Sequence, residues 1–359
     1  MESIMPTCGI ATVQRAHDGL TKDEIQPNQV NGLSFALDAR IENLRHFVKE
    51  FHISYSTVQA ASMIIKQSHS KSIQDIVFGL YERIEGFPSI VMQSGRDIYA
   101  ARNPQGYTTL FKGESMNGDI DVVSTEPFTM NAINTELENY DNEINKVREL
   151  NPGELVKLGE GTIGRFDKGN NQFFCGQEAT HFMHTCSHVG STSAYNMRKS
   201  IGRGLAKRSS YDADVVIPVN DSSRPAALGY SEKSGIPFEE GIMADRYFDS
   251  FVLALEAVVK EKSVIAITDG VRSGNELIRA IEALRRAGTN KVHVATENVY
   301  PLPPWACDLS PMRLGRTLEA RRRETDETVE EYLKVDGFMS NTPRELADEI
   351  GIPLNRLHL

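Results

Sequence analysis

The segment of residues 264–277, VIAITDGVRSGNEL, constrains the fold of this chain most, because an apolar run leads directly into a glycine-containing loop and then into a helix pattern. The first four residues are apolar, as in a buried strand, and apolar residues then recur at helical spacing at positions 277, 278, 281 and 284. Strand, tight loop and helix in this order form the repeating unit of a parallel sheet. The segment therefore predicts an α/β fold.

The same loop has the composition of an anion-binding turn. Gly270 and Gly274 allow backbone N–H groups to turn inward, and the helix that begins near Asn275 directs its partial positive charge to the same space. An ordinary turn between a strand and a helix also uses glycine and a helix cap, so this alternative stays open. The loop residues that we predict to contact a ligand are Thr268, Gly270, Val271, Arg272, Ser273, Gly274 and Asn275.

Helix and strand patterns alternate from about residue 193 onwards. The pattern predicts helices at 194–208, 223–234 and 276–287, and strands at 214–219, 263–267 and 291–296. Because consecutive parallel strands need crossover helices, this alternation indicates a doubly wound parallel sheet with both faces covered. The basic run within the first helix, at 198–208, is interpreted as a solvated helix face.

The first half of the chain has a different pattern of predicted strands and helices. Short strands separated by glycine or asparagine are predicted between residues 8 and 166, together with helices at 41–51, 57–68 and 72–84. The segment 164–192, rich in Gly, Asn, Gln and His, is interpreted as the junction of two domains. We predict domains at 1–165 and 166–359, the second with a helical extension at its C-terminal end.

Composition and charge limit the class of protein. The 359 residues are 40% apolar and 25% charged, which is typical of a globular protein with roughly two domains. The net charge of −10 argues against nucleic acid as a partner, since phosphate backbones are bound by basic surfaces. No apolar run approaches the roughly 18 residues that span a bilayer, and the N-terminus lacks a secretion pattern, so we expect a cytoplasmic protein without membrane contact. The four cysteines form no CxxC pair and indicate neither a disulfide framework nor a zinc site.

Several segments carry a resemblance to a known family. The segments in the second half are similar in order and spacing to the phosphoribosyltransferase part of the glutamine phosphoribosylpyrophosphate amidotransferases, and those in the first half resemble the core of the family's class II glutaminase domain. The matching segments are 82–115, 122–133, 149–161, 212–247, 264–277 and 284–296. The resemblance extends from Cys8 to about Glu319 and covers most of the chain.

The resemblance implies a fold and a reaction. It implies an α/β protein with an N-terminal glutaminase-like domain, an Ntn-type αββα sandwich in truncated form, and a C-terminal type I phosphoribosyltransferase-like domain. In the family, ammonia from glutamine reaches the second domain, where phosphoribosylamine is made for purine synthesis.

The glutaminase site implied by the resemblance is strongly altered. Cys8 stands where the family has an N-terminal catalytic cysteine whose α-amino group acts as the base, so residues 1–7 would have to be removed. The alternative is that Cys8 is a small apolar residue of a first strand. Asp38 and Ala39 replace the oxyanion-binding pair, which puts a carboxylate where negative charge develops, and Gln59 stands where an acid binds the substrate ammonium. We therefore expect a retained scaffold without glutamine hydrolysis.

The phosphoribosyl site implied by the resemblance is less altered. Asp269 matches the second of two adjacent acids that bind the ribose hydroxyls, and Thr268 replaces the first. Gly274 matches the phosphate-binding glycine, but Glu276 places a carboxylate where it competes with a phosphate at the helix N-terminus. We predict Asp269 as the catalytic residue, with magnesium reached through the bound ligand.

A second loop completes the predicted ligand site. Asp221 and Ser222 match the family's acid and serine in the turn after a strand, and Arg224 adds a cation nearby. These three residues are predicted to contact the polar or anionic part of a ligand.

Two features of the family are missing from the sequence. The long flexible loop that closes over pyrophosphate is reduced to the fifteen residues 248–262, and their pattern predicts a helix. Some family members bind an iron–sulfur cluster through four cysteines; Cys175 or Cys186, and Cys307, match single ligands, but the terminal CxxC pair is absent. We expect no cluster.

Three functions remain open at this stage. The first is a diverged transferase, an amidophosphoribosyltransferase-like protein that binds a phosphoribosyl or nucleotide-like molecule and uses ammonia from solution or another nucleophile. The second is a non-catalytic protein that regulates or scaffolds an amidotransferase. The third is an active glutamine-dependent amidophosphoribosyltransferase. In each case we expect a small-molecule ligand and a homo-oligomer.

Overall fold

The computed structural model describes residues 8–11, 26–39, 41–54, 56–68, 71–86, 88–137, 142–167, 172–189, 192–209, 211–244, 252–271, 274–298 and 327–358. These residues form two compact units, of which the first ends at Phe173 and the second begins at Phe174. No helix in these ranges is long and apolar enough to cross a bilayer.

The first unit combines two antiparallel sheets with four helices. Its strands are β1 Asn28–Val30, β2 Leu33–Asp38, β3 Ser89–Ser94, β4 Asp97–Ala101, β5 Phe111–Ser115, β6 Asp121–Ser124, β7 Ile144–Glu149, β8 Glu154–Lys157 and β9 Gly161–Arg165. Its helices are α1 Leu44–Phe51, α2 Thr57–Gln67, α3 Ile73–Arg83 and α4 Phe128–Glu136. The strand orders are β1-β2-β3-β4-β8-β9 and β6-β5-β7.

These elements form four layers because side chains alternate between the two faces of each sheet. In β3, Ile90 and Met92 pack on the layer of α1, α2 and α3, whereas Val91 packs on the opposite side with Val123 of the smaller sheet. The other face of the smaller sheet packs on α4 through Met130. The order helix, sheet, sheet, helix is the αββα sandwich that the resemblance implies.

The second unit is built around a parallel sheet. Its strands are β10 Phe174–Cys175, β11 His188–Val189, β12 Thr192–Ser193, β13 Val215–Pro218, β14 Ile242–Ala244, β15 Val252–Ala254, β16 Ser263–Thr268, β17 Lys291–Thr296, β18 Gly337–Ser340 and β19 Leu357–His358. Its α-helices are α5 Ala194–Arg208, α6 Arg224–Ser234, α7 Glu256–Val259, α8 Asn275–Arg286, α9 Val329–Leu333 and α10 Pro343–Ile350. A π-helical turn covers Glu178–Phe182 and a 3₁₀ turn covers Leu354–Arg356.

Strands β13, β16, β17 and β18 lie side by side in this order and are all parallel. Val264 and Ala266 of β16 pack on the side of α8 and α9, while Ile265 and Ile267 pack on the side of α5, α6 and α10. Burial on both faces explains why the strand reads as a continuous apolar run. The α/β fold with a covered parallel sheet is confirmed.

Two local predictions are wrong. Within residues 248–262, the described part contains strand β15 and the short helix α7 instead of one helix. In β15, Leu253 is exposed while Ala254 packs on the core, a period of two that pairing with β14 imposes. The basic run is not entirely solvated either, because Arg198 is 1% exposed.

Candidate functional site at the carboxyl edge of the parallel sheet

Three parallel strands end together and place polar side chains at one edge. Pro218 of β13 pairs with Ile267 of β16, and Thr268 of β16 pairs with Thr296 of β17. The residues that follow these strands therefore lie close together. In open α/β sheets this edge is where ligands bind.

Asp269 lies at the centre of this group. Asp269 is only 3% exposed. Its Oδ1 accepts a hydrogen bond from Asn220 Nδ2 at 2.9 Å, and its Oδ2 accepts one from Ser222 Oγ at 2.5 Å. The same Oδ2 lies 2.5 Å from His181 Nδ1.

These contacts keep the Asp269 carboxyl ionised. Burial alone would raise its pKa, but the hydrogen bond from His181, the charge that this ring carries when protonated, and the bonds from Ser222 and Asn220 hold the pKa below its ordinary value. Both oxygens are already bonded to groups of this chain. A ribose hydroxyl that bound Asp269 would have to displace one of these donors.

His181 reaches Asp269 from the π-helical turn Glu178–Phe182. Arg198 of α5 supports this turn, since its Nε donates to the Ala179 carbonyl at 2.9 Å and its Nη2 donates to the Met183 carbonyl at 2.6 Å. The buried guanidinium thus donates two of its hydrogen bonds to backbone carbonyl oxygens of this turn and its end.

A second carboxyl, that of Glu297, follows β17 at the same edge. Glu297 is 0% exposed, and neither side-chain oxygen has a hydrogen-bond partner among the described residues. Burial raises its pKa well above the ordinary 4.5; nearby Arg198 opposes this shift and Asp269 adds to it. Burial therefore favours the protonated, neutral form of this carboxyl.

The predicted anion-binding loop is described only in part. Gly274 is the N-cap residue of α8 with φ +79°, and no side chain among the described residues caps the helix. Asn275 and Glu276 are exposed in the first turn. Val271 is buried, and its N–H donates to the Asn298 carbonyl at 3.1 Å instead of facing the loop interior.

The remaining predicted ligand residues of this loop differ in whether the structure describes them and in how far they are buried. Arg272 and Ser273 lie outside the described residues. Gly270 is half-buried, and Thr268 is buried with its carbonyl accepting the Glu297 N–H at 2.9 Å. No described contact joins either of them to the Asp269 side chain.

Arg224 and Asp221 lie on the outside of this edge. The Arg224 guanidinium bonds to the Asp221 carboxylate at 3.1 Å and to that of Glu240 at 2.8 Å. The Glu240 hydrogen bond is the main reason that the pKa of Arg224 is raised. With two carboxylates already beside it, Arg224 is less available to an anion than the sequence suggests.

The residues predicted for glutamine chemistry do not form a cluster around Cys8. The Cys8 thiol is exposed and accepts a hydrogen bond from Gln93 Nε2 at 3.5 Å. Gln93 pairs with Ser34 of β2. Asp38 lies four residues further along β2, so about 13 Å of strand separates it from Ser34. Gln59 binds the loop before α2, since its Oε1 accepts hydrogen bonds from the Ser54 N–H and from the Ser54 hydroxyl.

The arrangement of His, Cys, Asp and Glu side chains bears on whether the chain holds a metal ion or a cluster. In the part of the chain that the structure describes, no group of three or more His, Cys, Asp or Glu side chains is arranged to hold a metal ion. Cys175 is buried and Cys186 is exposed, neither is in a disulfide, and Cys307 lies outside the described residues.

The sequence interpretation missed three residues of this site: His181, Asn220 and Glu297. Asn220 and Glu297 could have been found, because each follows a predicted strand at the edge where parallel strands end. His181 comes from an irregular segment far from the strands in the chain, and no pattern marks it.

Comparisons with known proteins agree with the fold. No family model matches the chain. The chain is 25% identical over 361 residues to the amidophosphoribosyltransferase of Bacillus subtilis, covering 91% of this chain and 74% of the relative. It is 28% identical to those of Rhizobium etli, over 264 residues, and Pyrococcus horikoshii, over 298 residues. Those alignments cover 67% and 76% of this chain, but only 51% and 64% of the relatives.

Solved structures show the same two-domain fold. The glutamine phosphoribosylpyrophosphate amidotransferase of B. subtilis, complexed with ADP and GMP, is similar with a TM-score of 0.75 and 24% identity, covering 92% of this chain and 76% of that chain. A structure of the allosteric regulatory enzyme of purine biosynthesis is similar with a TM-score of 0.76 and 24% identity, over 92% and 74% of the chains. The Ntn glutaminase-like and phosphoribosyltransferase-like folds are confirmed.

Proposed function

Because this chain is a divergent member of the amidophosphoribosyltransferase family, we propose that its second unit binds a phosphoribosyl or nucleotide-like ligand and acts as a diverged transferase. The first unit keeps the glutaminase-like scaffold without hydrolysing glutamine. Magnesium would enter with the ligand and neutralise its phosphate groups.

The uncapped N-terminus of α8, beside the polar edge of the parallel sheet, carries this proposal. The first N–H groups of a helix lack partners within the helix, and the helix dipole adds partial positive charge there. A phosphate bound beside Gly274 would be stabilised by this partial charge. Asp269 and Ser222 would then lie on the side of the sugar.

The nature of the ligand is supported by a relative. The similar enzyme of B. subtilis was solved with ADP and GMP, which are phosphorylated ribosides. The same ligand chemistry fits an edge with an open helix N-terminus and a group of polar side chains.

The loss of glutamine hydrolysis is supported by the surroundings of Cys8. The Cys8 nitrogen is an amide in the chain as written, and the Asp38 carboxylate lies four strand positions away from the register of Gln93. Neither arrangement supplies a base or an oxyanion donor to the thiol.

A non-catalytic role is the second candidate, and the state of Asp269 favours it. Its two oxygens already accept from three donors of this chain, so the carboxylate is structurally satisfied without a ligand. A protein that had lost its substrate would retain such an internal cluster for stability.

Calorimetric titration with ribose 5-phosphate, phosphoribosylpyrophosphate and GMP, each with and without Mg²⁺, tests the proposal. We expect saturable binding that Asp269→Ala weakens, because this carboxylate holds Ser222, Asn220 and His181 at the edge of the sheet. Glu276→Gln should tighten binding about 2- to 5-fold, because it removes a carboxylate from a helix N-terminus, where a charge contributes roughly 0.3–1 kcal/mol. Glu282→Gln, an exposed site further along α8, is the matched control and should leave affinity unchanged.

The outcomes separate the two candidates. No response to any of the three compounds would contradict ligand binding at this edge and favour the non-catalytic role. Binding that is equal in Asp269→Ala and the parent chain would place the ligand elsewhere.

A further inference from the structure

The pairing of Asp269 with His181 is unlike the other contacts of this carboxylate. Asn220 and Ser222 are neutral donors, whereas His181 is an ionisable ring whose second nitrogen remains available. Nδ1 lies 2.5 Å from Asp269 Oδ2, and Nε2 has no hydrogen-bond partner among the described residues. The His181 side chain is 38% exposed while that of Asp269 is 5% exposed. The buried carboxylate of Asp269 is thus hydrogen-bonded to the partly exposed imidazole of His181.

This geometry determines what the ring can do. A carboxylate at Nδ1 favours the tautomer with the proton on Nδ1, which leaves the lone pair on Nε2. The same carboxylate stabilises the imidazolium that forms when Nε2 takes a proton. The ring is therefore arranged as a proton acceptor on its exposed side.

The support of the ring is rigid. Arg198 bonds to carbonyls at both ends of the segment that carries His181, and Arg198 itself is buried. Single π turns inside proteins occur often at functional sites. Burial raises the pKa of the nearby Glu297 carboxyl, which disfavours a second negative charge beside the ring.

We propose that His181 is the catalytic proton acceptor of this site and that Asp269 is its positioning carboxylate, in place of a direct role on the ribose. This inference rests on the proposed function. It explains why both Asp269 oxygens are occupied within the chain, since a positioning carboxylate acts through the imidazole and needs no contact with the ligand.

The step can be written for a phosphoribosyl donor with ammonia as the nucleophile. The nitrogen lone pair forms a C–N bond to the anomeric carbon while the C–O bond to pyrophosphate breaks, and its electron pair leaves with pyrophosphate. As the C–N bond forms, the nitrogen gains positive charge and His181 Nε2 takes one of its protons in the same step. The products are neutral phosphoribosylamine, pyrophosphate and an imidazolium that later releases the proton to water.

The test uses the full chain with phosphoribosylpyrophosphate, Mg²⁺ and an ammonium salt, measuring affinity by calorimetry and turnover by pyrophosphate release. His181→Asn keeps an N–H donor near the Nδ1 position but lacks Nε2. We expect its affinity to change less than about 3-fold, whereas turnover falls about 10²- to 10⁴-fold, as for loss of a general base.

Two further variants exclude a purely structural role. Added imidazole should restore part of the turnover of His181→Ala, which a structural defect would not allow. His184→Asn, an exposed histidine of the same segment, should turn over like the parent chain.

Each result has a defined meaning. Failure of the parent chain to bind phosphoribosylpyrophosphate overturns the proposed function and this inference together. Binding without pyrophosphate release, full turnover in His181→Asn, or no rescue by imidazole overturns the role of His181 and leaves ligand binding intact.

Discussion

Two carboxyl groups at the same sheet edge have opposite preferences for the proton. Asp269 and Glu297 follow the paired residues Thr268 and Thr296, so they begin from equivalent positions on neighbouring strands. Asp269 has three donors, which lower its pKa despite burial, whereas Glu297 has none among the described residues, and burial raises its pKa. Local hydrogen bonding, not burial, decides which of the two is charged.

Glu297→Gln tests this difference through the pH dependence of stability. In the parent chain, the unfolded state releases the Glu297 proton above pH 4.5 while the folded state keeps it, so rising pH favours unfolding by about 1.4 kcal/mol per pH unit until the folded pKa is reached. Glu297→Gln has no carboxyl to titrate here, so its stability relative to the parent chain should increase as the pH rises above 4.5. Urea unfolding at several pH values measures it; a stability difference independent of pH would contradict the prediction.

Glu154 gives the opposite pH dependence in the first unit. Its carboxylate accepts from Arg148 at 2.7 Å, from Thr162 at 2.6 Å and from the Asn151 N–H at 2.7 Å. Burial opposes ionisation, but these bonds lower the pKa to about 2. The stabilisation is present above pH 4.5 and is lost as pH falls towards 2.

Glu154→Gln should therefore lower the free energy of unfolding at pH 7 by about 3 kcal/mol, and the deficit should shrink below pH 4. Glu160→Gln, an exposed site on the same hairpin, should change stability by less than about 0.5 kcal/mol. Thermal or urea unfolding at pH 3 and pH 7 measures both. A deficit of equal size at the two pH values would count against the ionic origin.

At the scale of elements, the close approach of α5 and α6 depends on two glycines. A Cβ on Gly202 would lie 1.9 Å from the Ala226 carbonyl oxygen, and one on Gly229 would lie 2.0 Å from that of Lys199. Backbone-to-backbone contact of this kind leaves no room for a side chain. The two helices cover the face of the sheet on which Arg198 supports His181, so their packing also bears on the candidate site.

Gly202→Ala should destabilise the protein by about 1–3 kcal/mol, because overpacking forces the helices apart. Gly79→Ala is the matched control: it lies inside α3 with no atom within 4 Å of an added Cβ, and should stabilise by roughly 0.5–1 kcal/mol through helix propensity. Chemical unfolding of both variants measures the effect. Equal effects at the two positions would show that α5 and α6 can separate without cost.

At the scale of the whole molecule, the two units differ in the chemical groups that their described residues bring together. In the αββα unit the Cys8 thiol contacts Gln93, and no described contact joins it to a base, while the α/β unit has the N-terminus of α8 and the Asp269–His181 pair. We expect that the purified chain releases no ammonia from glutamine, and that Cys8→Ala behaves identically. Ammonia release that disappears in Cys8→Ala but persists in Cys186→Ala, another exposed cysteine, would restore the glutaminase assignment.

The sequence by itself determined the architecture of this protein, because apolar periodicity reports which faces of strands and helices are buried. The continuous apolar run of β16 predicted a strand covered on both sides, and its glycine loop predicted the start of α8. Asp269 was predicted as a site residue from the family resemblance, and that role stays a prediction. The short paired strand β15 was missed, since its pattern is set by its partner.

Only the tertiary structure decided what surrounds Asp269. His181 and Arg198 come from segments that are distant in sequence, and their meeting depends on how a π turn and a helix pack on the sheet. The raised pKa of Glu297 likewise follows from burial and from the absence of donors among the described residues, neither of which local sequence encodes. Packing between distant segments, through distance and dielectric environment, turned a strand-end acid into one half of a positioned pair.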